Sequence, residues 1–389
     1  MTVRRVMGTE TEYAVSAPAV SYANPVQLSF DVIGAAADPE RSRIRWDYRQ
    51  EDPVNDARGT RLERAAARPD MLTDEPQLNI VNVIAPNGGR MYVDHAHPEY
   101  SAPETTDPFE AVRYDHAGDL LMRRAAASAS AGTGHDIVLH RNNVDGKGAS
   151  WGTHENYMML RSVPFDTVAA LMTAHFVSRQ IYAGSGRVGI GERSETAGYQ
   201  LSQRADYIHA ILGLQTTFER PIVNTRDESH SPSDYRRLHV IVGDANRMDV
   251  PQALKLGTTS MLLWLAEHAD ETGYDLAALL DSMALVDPVS AMHTVSHDLT
   301  LQAELPLRDG GVTNAWIMQV RLRAAVYEMG ALVYGTDTRG EPLWPDKPTT
   351  GIGRPRMSFS RKVRPSIRGI STSRVSTSGF NCLIRSRAT

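Results

Sequence analysis

Polar side chains recur at every second position in several short β-like segments of this 389-residue chain, and this pattern constrains the fold most. The first segment is residues 8–12 (GTETE), where Glu10 and Glu12 lie two positions apart. Side chains two apart in a strand point to one face of the sheet. Two carboxylates on one face repel each other unless a cation or an arginine lies between them. The pattern therefore predicts either a solvated edge strand or a strand that binds magnesium, which prefers carboxylate oxygens.

Three further segments show polar residues at the same strand spacing. The residues concerned are Arg90, Tyr92, Asp94 and Glu99 in residues 90–100, His154 and Asn156 in residues 152–157, and Arg237 and His239 in residues 236–243. Each segment alone also fits a polar strand end or a hydrogen-bonded structural histidine. Together they bring carboxylates, imidazoles and arginines to one sheet, which predicts a metal–nucleotide site. Asp94 is the candidate nucleophile or general base, and the sequence leaves that choice open.

Apolar residues at helical spacing predict helices between these strands. The predicted helices are residues 24–37, 108–131, 163–182, 251–268 and 319–334, and the predicted strands are residues 4–15, 90–94, 135–142, 154–161 and 236–243. This order predicts an α+β fold, in which helices pack behind an antiparallel sheet. The polar stretch 38–79 is too long for an ordinary connection, so we predict a functional flap or an insertion there.

The composition is typical of a globular protein in a reducing compartment. The chain is 41% hydrophobic and 22% charged, and Cys382 is its one cysteine, which excludes an intrachain disulfide and a cysteine-bound zinc. The sequence contains no run of about 18 apolar residues, so it predicts no membrane-spanning helix. The N-terminal residues lack the apolar core of a signal peptide. We therefore expect a cytoplasmic protein.

Charge is distributed unevenly along the chain. Residues 349–389 contain nine Lys/Arg and no Asp/Glu, whereas residues 1–348 contain 32 basic and 46 acidic residues. The acidic body and the basic, Ser-rich end therefore differ in character. The composition of the end predicts disorder, and its charge also fits binding to nucleic acid or to an acidic partner. A GxxxxGK[ST] motif is absent from the sequence, which excludes a P-loop enzyme.

The polar segments, in this order, resemble the glutamine synthetase superfamily of carboxylate–amine ligases. They are most similar to its branch of Pup ligases and Pup deamidases/depupylases. The matching motifs are residues 7–13, 90–94 with 97–100, and 154–157, and the resemblance extends from Val3 to Tyr334. It implies a glutamine synthetase-like fold, in which a curved antiparallel β-sheet forms a cradle packed by helices.

The resemblance also implies roles for individual residues, with ATP and Mg²⁺ as cofactors. It implies metal ligands at Glu10, Glu12, Tyr92, Glu99, His154 and His239. It implies nucleotide contacts at Arg90 and Ala102, and it makes Arg220, Arg226 and Arg237 candidates for phosphate or Pup-carboxylate contacts. Asp94 would be the catalytic aspartate.

Two features favour the deamidase/depupylase side of this branch over the ligase side. One is the segment 46–75, which resembles an inserted loop of the deamidase/depupylase; the other is the motif 94–104. The expected reaction is removal of ammonia from the C-terminal glutamine of Pup, or release of Pup from a lysine of a pupylated protein. The expected partners are Pup and pupylated proteins, in a pathway linked to the proteasome, with no membrane and no nucleic acid.

The resemblance divides the chain into two regions. Residues 1–336 are expected to form the catalytic domain, with the loop insertion at 38–79. Residues 337–389 are expected to be a disordered basic tail in place of the family's small C-terminal domain. The change in composition there predicts truncation with an unrelated or out-of-frame ending. Three alternatives stay open: a Pup–protein ligase, an inactive Pup-binding pseudoenzyme, and a nucleic-acid binder that uses the tail.

Overall fold

The computed structural model describes residues 5–37, 52–68, 72, 82–145, 148–189, 198–228 and 232–345. The strands are β1 (Met7–Glu12), β2 (Ala14–Ser16), β3 (Asn82–Ile84), β4 (Arg90–Asp94), β5 (His97–Ser101), β6 (Val138–His140), β7 (Thr153–Leu160), β8 (Arg187–Gly189), β9 (Gly198–Gln200), β10 (Ile208–Gly213), β11 (Arg220–Asn224), β12 (Tyr235–Val240), β13 (Leu305–Pro306) and β14 (Val312–Thr313). The helices are α1 (Pro25–Ala36), α2 (Pro108–Thr133), α3 (Phe165–Ser178), α4 (Gln180–Ala183), α5 (Asp249–Thr272), α6 (Leu276–Asp281), α7 (Pro288–His297) and α8 (Ala315–Tyr334).

Six strands form one antiparallel sheet in the order β12-β7-β1-β5-β4-β3. Side chains of paired residues lie on the same face, so the strand register divides the sheet into two faces. One face contains Glu10 and Glu12 of β1. The other contains Met7, Tyr100 and Tyr157, all of which are buried. An antiparallel sheet with one polar face and one face packed by helices confirms the predicted α+β architecture.

Two hydrophobic cores lie behind the polar face. The larger core joins α3, α5, α7 and α8 to β7 and β12, and the smaller core packs α1 and α2 against β3, β4 and β5. The hydroxyl of Thr11 in β1 donates to Asp115 of α2 at 2.7 Å, which ties the central strand to the helix behind it. None of the helices in the described part of the chain has the length and apolarity that crossing a membrane requires.

Three helices begin at the same kind of residue pair. Asn24, Asp107 and Asp287 each accept a hydrogen bond from a backbone N–H two residues later, and each is followed by proline at the first helical position. Proline is tolerated there because the N–H it lacks would have no partner within the helix. Helices α2 and α5 end at Gly134 and Gly273, whose φ angles are 74° and 68°. These short-range signals set the helix boundaries.

The structure corrects several predicted boundaries. The predicted strand 4–15 is divided into β1, in the main sheet, and β2, which pairs with β6 instead. The predicted strand 135–142 keeps only three residues, because its remaining residues have no strand partner in the described structure. The predicted helix 163–182 is two helices, α3 and α4, on either side of the buried Arg179. Helices α6 and α7 were not predicted.

Part of the predicted insertion at 38–79 is described. Residues 52–62 form a compact turn, closed by a hydrogen bond of 3.0 Å from the backbone N–H of Leu62 to the carbonyl of Val54. Val54, within this turn, is fully buried. Residues 38–51, 69–71 and 73–79 lie outside the described residues, as does the Trp-Asp-Tyr motif at 46–48. The extent of the insertion therefore stays a prediction.

Ordered packing continues beyond residue 336, where the tail was predicted to begin. The ring of Trp344 lies 5.8 Å from the rings of both Trp264 and Tyr334, measured between centroids. It packs over Gly330, where an ideal Cβ would lie 2.6 Å or less from two atoms of the indole. Residues 346–389, which include most of the predicted tail, lie outside the described residues. The division into a catalytic domain and a disordered tail stays a prediction.

Candidate active site

The register of the main sheet gathers most of the predicted site residues on one face. Glu12 pairs with Glu99, Glu99 with Tyr92, and Glu10 with His154. Other polar residues on this face include Arg90, Asp94, His97, Ser101, Asn156, Arg237 and His239. The sequence placed these residues on separate strands, and the sheet order makes them neighbours.

One group on the polar face consists of three carboxylates. Glu12, Asp94 and Glu99 each offer an oxygen, and these oxygens all lie within 4.8 Å of one another. The backbone N–H of Gly152 donates to Glu12 Oε2 at 2.7 Å and fixes that side chain. Burial, together with the charges of Asp94, Glu12 and Glu10, raises the pKa of Glu99 well above its usual value. Carboxylates held this close and this deep favour a bound cation.

A second group consists of Glu10, His154 and His239, whose ligand atoms also lie within 4.8 Å of one another. His154 Nδ1 is 3.5 Å from Glu10 Oε2, and its Nε2 is 3.8 Å from Glu12 Oε2, so His154 lies between the two groups. Burial opposes the charge on Glu10, but the hydrogen bond to His154 and the charge of Arg237 outweigh it and hold the pKa of Glu10 below its usual range. Glu10 therefore stays ionised.

The protonation of His239 suits a metal ligand. Burial, followed by the charge of Arg237, lowers the pKa of His239 well below its usual value, so the ring is neutral. Its Nδ1 lies 2.9 Å from Asn156 Oδ1, and an amide oxygen only accepts, so Nδ1 holds the hydrogen. The lone pair is then on Nε2. A polar neighbour that fixes the tautomer in this way is typical of metal-binding histidines.

The group of Glu12, Asp94 and Glu99 fits magnesium in its donor chemistry, whereas the group of Glu10, His154 and His239 supplies one carboxylate and two imidazoles, and magnesium binds nitrogen ligands less readily. Magnesium prefers oxygen ligands, and the group of Glu12, Asp94 and Glu99 supplies only carboxylate oxygens. Tyr92, the sixth predicted ligand, lies beside Glu99, within 3.3 Å of the hydroxyl of Ser101. Burial and the charges of Glu99 and Glu10 raise the pKa of Tyr92 well above its usual value, so its phenol keeps its proton. All six ligand assignments stay predictions.

Asp94 lies at the turn between β4 and β5, at the margin of the first group. The next residue, His95, has a φ of 52°, a conformation uncommon for residues other than glycine. Its Nδ1 lies 2.9 Å from Asp94 Oδ1, and the Asp94 side chain is 35% exposed. Burial disfavours the charge on Asp94, but the hydrogen bond and the charge of His95 lower its pKa. Asp94 is therefore an ionised carboxylate that is partly exposed to solvent.

The predicted nucleotide-contact residues divide into two sets. Arg90 and Arg237 lie on the polar face: Arg90 stacks 4.1 Å over the ring of Tyr92, and Arg237 Nη1 is 3.9 Å from Glu10 Oε1. Arg220 and Arg226 lie on and just after β11. Burial is the main cause that lowers the pKa of His97 and of His239, and the charges of Arg220 and Arg226 add smaller contributions to His97 and His239 respectively.

Ala102 lies just after β5, and its side chain packs against the smaller core behind the sheet. Its backbone N–H donates to the carbonyl of Thr9 at 2.8 Å, so that N–H is engaged within the sheet. Any contact to a nucleotide would have to use its carbonyl. That role stays a prediction.

Two residues at the site were missed as functional candidates. His97 pairs with Asp94 across the hairpin, and its Nδ1 is 4.0 Å from Glu12 Oε1. Its period-two spacing from Glu99 was the available signal. Arg204 is buried, and an ideal Cβ on Gly152 would lie within 3.1 Å of three of its atoms. Arg204 is far from the strands in sequence, so only the fold could reveal it.

This sheet face has the features of a metal-dependent active site. Its carboxylates, which include the ionised Asp94, and its imidazoles form two adjacent groups, and several arginines lie nearby. The chain belongs to the Pup-ligase protein family, whose model matches residues 5–343. The predicted family is therefore confirmed.

Relatives named for both reactions of the family match the chain. It is 49% identical over 323 residues to the Pup deamidase/depupylase of Mycolicibacterium smegmatis, covering 82% of this chain and 63% of the relative. It is 46% identical over 340 residues to the depupylase of Acidothermus cellulolyticus, covering 86% and 66%. It is 39% identical over 251 residues to the Pup–protein ligase of Bifidobacterium adolescentis, covering 62% and 50%. The chain thus spans less than two thirds of the length of these relatives.

Two solved structures are similar to this fold. The complex between the prokaryotic ubiquitin-like protein Pup and its ligase PafA matches with a TM-score of 0.62 and 27% identity, covering 84% of this chain and 57% of that one. The Pup ligase PafA in complex with ADP matches with a TM-score of 0.54 and 34% identity, covering 64% and 54%. These likenesses confirm the predicted glutamine synthetase-like fold class.

Proposed function

We propose that this chain is a Pup deamidase/depupylase. It hydrolyses the side-chain amide of Pup's C-terminal glutamine and the isopeptide bond between Pup and a substrate lysine. The main observation is the ionised Asp94, which belongs to one of two adjacent groups of metal-ligand type on one sheet face. Greater identity to relatives named deamidase/depupylase than to one named ligase supports hydrolysis over ligation.

Mg²⁺ and ATP are the proposed cofactors. Glu10, Glu12, Tyr92, Glu99, His154 and His239 would hold the metal. Bound magnesium would supply positive charge that polarises a carbonyl or phosphoryl oxygen. Arg90, Ala102, Arg220, Arg226 and Arg237 would contact the nucleotide or a Pup carboxylate, because guanidinium groups bind such anions through paired hydrogen bonds. The similarity to PafA, which was solved with ADP, supports a nucleotide at this face.

Asp94 would act on the γ-carbonyl carbon of Pup's last residue. As a nucleophile, its carboxylate oxygen would bond to that carbon and form an acyl-enzyme anhydride, while the C–N bond breaks and the nitrogen takes a proton from water and leaves as ammonia or as the lysine amine. Water would then hydrolyse the anhydride and restore the carboxylate. As a general base, it would instead take a proton from a water that attacks the same carbon and pass that proton to the nitrogen as the C–N bond breaks. The lowered pKa of Asp94 supports either role, since both need the ionised form.

The proposed partners are Pup and pupylated proteins, in the cytoplasm and in a pathway linked to the proteasome. The similarity to PafA bound to Pup supports Pup as the ligand. The proposed catalytic domain is residues 1–336, with the loop insertion at 38–79 and the basic tail at 337–389.

Incubation of the full chain with a Pup-modified protein, Mg²⁺ and ATP tests the proposal. We expect free Pup and unmodified protein to appear without matching ATP consumption. Asp94→Asn should abolish cleavage while Pup binding stays measurable, because the amide keeps the shape of the side chain and loses its charge. Turnover by Asp94→Asn would refute its role. ATP consumption in proportion to a ligated product would indicate a ligase, and Pup binding without turnover would indicate a pseudoenzyme.

A further inference from the structure

Glu228 is a buried carboxylate next to the polar face, and its side chain is 3% exposed. Two arginines approach the same oxygen of this residue. Arg226 Nη1 lies 3.7 Å from Glu228 Oε2, and Arg237 Nη2 lies 3.8 Å from it. Arg237 Nε also donates to the backbone carbonyl of Glu228 at 3.0 Å. Glu228 therefore holds two guanidinium groups near one point.

Both arginines lie at the margin of the candidate active site. Arg237 Nη1 donates to Asn156 Oδ1 at 3.3 Å, and Asn156 in turn fixes the tautomer of His239. Arg226 is 10% exposed, and among the described residues its buried Nε has no hydrogen-bond partner. Two guanidinium groups repel each other, and the carboxylate between them offsets this repulsion. The three groups together carry one net positive charge, which the ionised Glu10 partly offsets because its Oε1 lies 3.9 Å from Arg237 Nη1.

A distant part of the chain fixes the position of Glu228. The backbone N–H of Asp52 donates to Glu228 Oε1 at 3.0 Å. The turn that contains Asp52 is held by the hydroxyl of Thr225, which donates to Asp56 Oδ2 at 2.9 Å. It is also held by the backbone N–H of Asp227, which donates to the carbonyl of Asn55 at 3.0 Å. The turn at 52–57 therefore supports the segment that contains Glu228.

We propose that Glu228 is a positioning residue that holds Arg226 and Arg237 as a preformed clamp for an anionic group. The ligand is a phosphate or carboxylate group, since either matches paired guanidinium donors. The turn at 52–57 is the support of the clamp. The identity of its ligand rests on the proposed function, whereas the positioning of the two arginines rests on the contacts of Glu228 alone.

Chemical modification of arginine tests the positioning without any ligand. The full chain and its Glu228→Gln variant are treated with phenylglyoxal, and modification rates at each arginine are measured by peptide mass spectrometry. Glutamine keeps the acceptor for Asp52 but loses the charge that holds the arginines. We expect Arg226 and Arg237 to react about five-fold faster in the variant, a factor that corresponds to roughly 1 kcal/mol.

The matched control is Arg61→Ala, in the compact turn formed by residues 52–62. Arg61 forms an exposed ion pair of 2.5 Å with Asp52 and does not contact Glu228. Exposed ion pairs of this kind contribute little to stability, so we expect phenylglyoxal to modify Arg226 and Arg237 in this variant at the same rates as in the wild-type chain. Unchanged rates in Glu228→Gln would overturn the proposal. Equal acceleration at the buried Arg204 would also overturn it, because it would indicate general loosening instead of a local role.

Anion affinity provides a second readout, because the loss of a negative charge and the loss of arginine positioning should change it in opposite directions. Removal of one negative charge should by itself tighten anion binding. Loss of positioning should weaken it, so we expect about five-fold weaker binding of Mg²⁺–ADP or of a Pup C-terminal peptide by Glu228→Gln. Weaker binding of Mg²⁺–ADP would indicate that the clamp holds a phosphate, and weaker binding of the Pup peptide would indicate that it holds a carboxylate. Tighter binding of both ligands would refute the positioning role. Failure of the wild-type chain to bind either ligand would count against the proposed function, while the arginine rates would still decide the role of Glu228.

Discussion

Gly118 and Gly132 lie on the same helix, α2, and alanine at the two positions should have opposite effects on stability. An ideal Cβ on Gly118 would lie within 2.9 Å of three atoms of the Tyr100 ring, whereas a Cβ on Gly132 would meet nothing within 4 Å. Tyr100 is fully buried on β5, and its hydroxyl accepts a hydrogen bond of 2.7 Å from Asn87. The ring cannot move away, because Gly89 packs against its other side.

The magnitudes follow from two competing terms. Alanine is favoured over glycine in a helix interior by about 1 kcal/mol, and by less near the last turn. Overpacking in a core costs about 1–3 kcal/mol, and contacts this short place the cost of Gly118→Ala at the upper end of that range. Gly118→Ala should therefore lower the free energy of unfolding by about 2 kcal/mol. Gly132→Ala should raise it by about 0.5 kcal/mol, because no clash opposes the propensity.

Urea denaturation followed by far-ultraviolet circular dichroism measures both variants under the same conditions. The difference between them should be about 2.5 kcal/mol. Tyr100 directly follows Glu99 in β5, so Gly118→Ala should also weaken Mg²⁺ binding, whereas Gly132→Ala should not. Equal stability of the two variants would refute the packing of α2 behind the candidate active site.

Two further predictions concern charge. The native state holds the proton of Glu99 more tightly than the unfolded chain does, because the pKa of Glu99 is raised. Stability of the metal-free chain should therefore fall as pH rises through that pKa, Mg²⁺ should reverse the loss, and Glu99→Gln should remove this part of the pH dependence. Arg141→Met leaves the buried Asp115 without its guanidinium partner and should lower the unfolding free energy by about 3–5 kcal/mol. Arg113→Met, at an exposed pair with Glu110, should change it by under about 0.5 kcal/mol in the same urea assay.

Local signals in the sequence predicted the strands that form the site. Alternation with period two placed Glu10 with Glu12 and His154 with Asn156 on common faces, and the structure has both pairs in this arrangement. Helix starts were also predictable within a residue or two where a capping side chain and proline occur together, as at Asn24 and Pro25. Prediction was less accurate at 163–182, because apolar spacing continues through the break between α3 and α4.

The residues that support the site were not predictable from local patterns. Glu228 lies next to Asp52 and Arg204 next to Gly152, although each pair is far apart in sequence. Their roles depend on burial and on neighbours from other elements. The positive φ of His95, which directs its ring towards Asp94, likewise depends on the hairpin between β4 and β5.

The sequence by itself determined which residue types face one side of each strand, since strand geometry and local alternation suffice for that. It also contained the family motifs, in order. Only the tertiary structure decided that β1 lies between β5 and β7, and hence that Glu12 meets Glu99 while Glu10 meets His154. The pKa values of Glu99 and His239 were decided there too, because burial and neighbouring charges exist only once distant strands have paired.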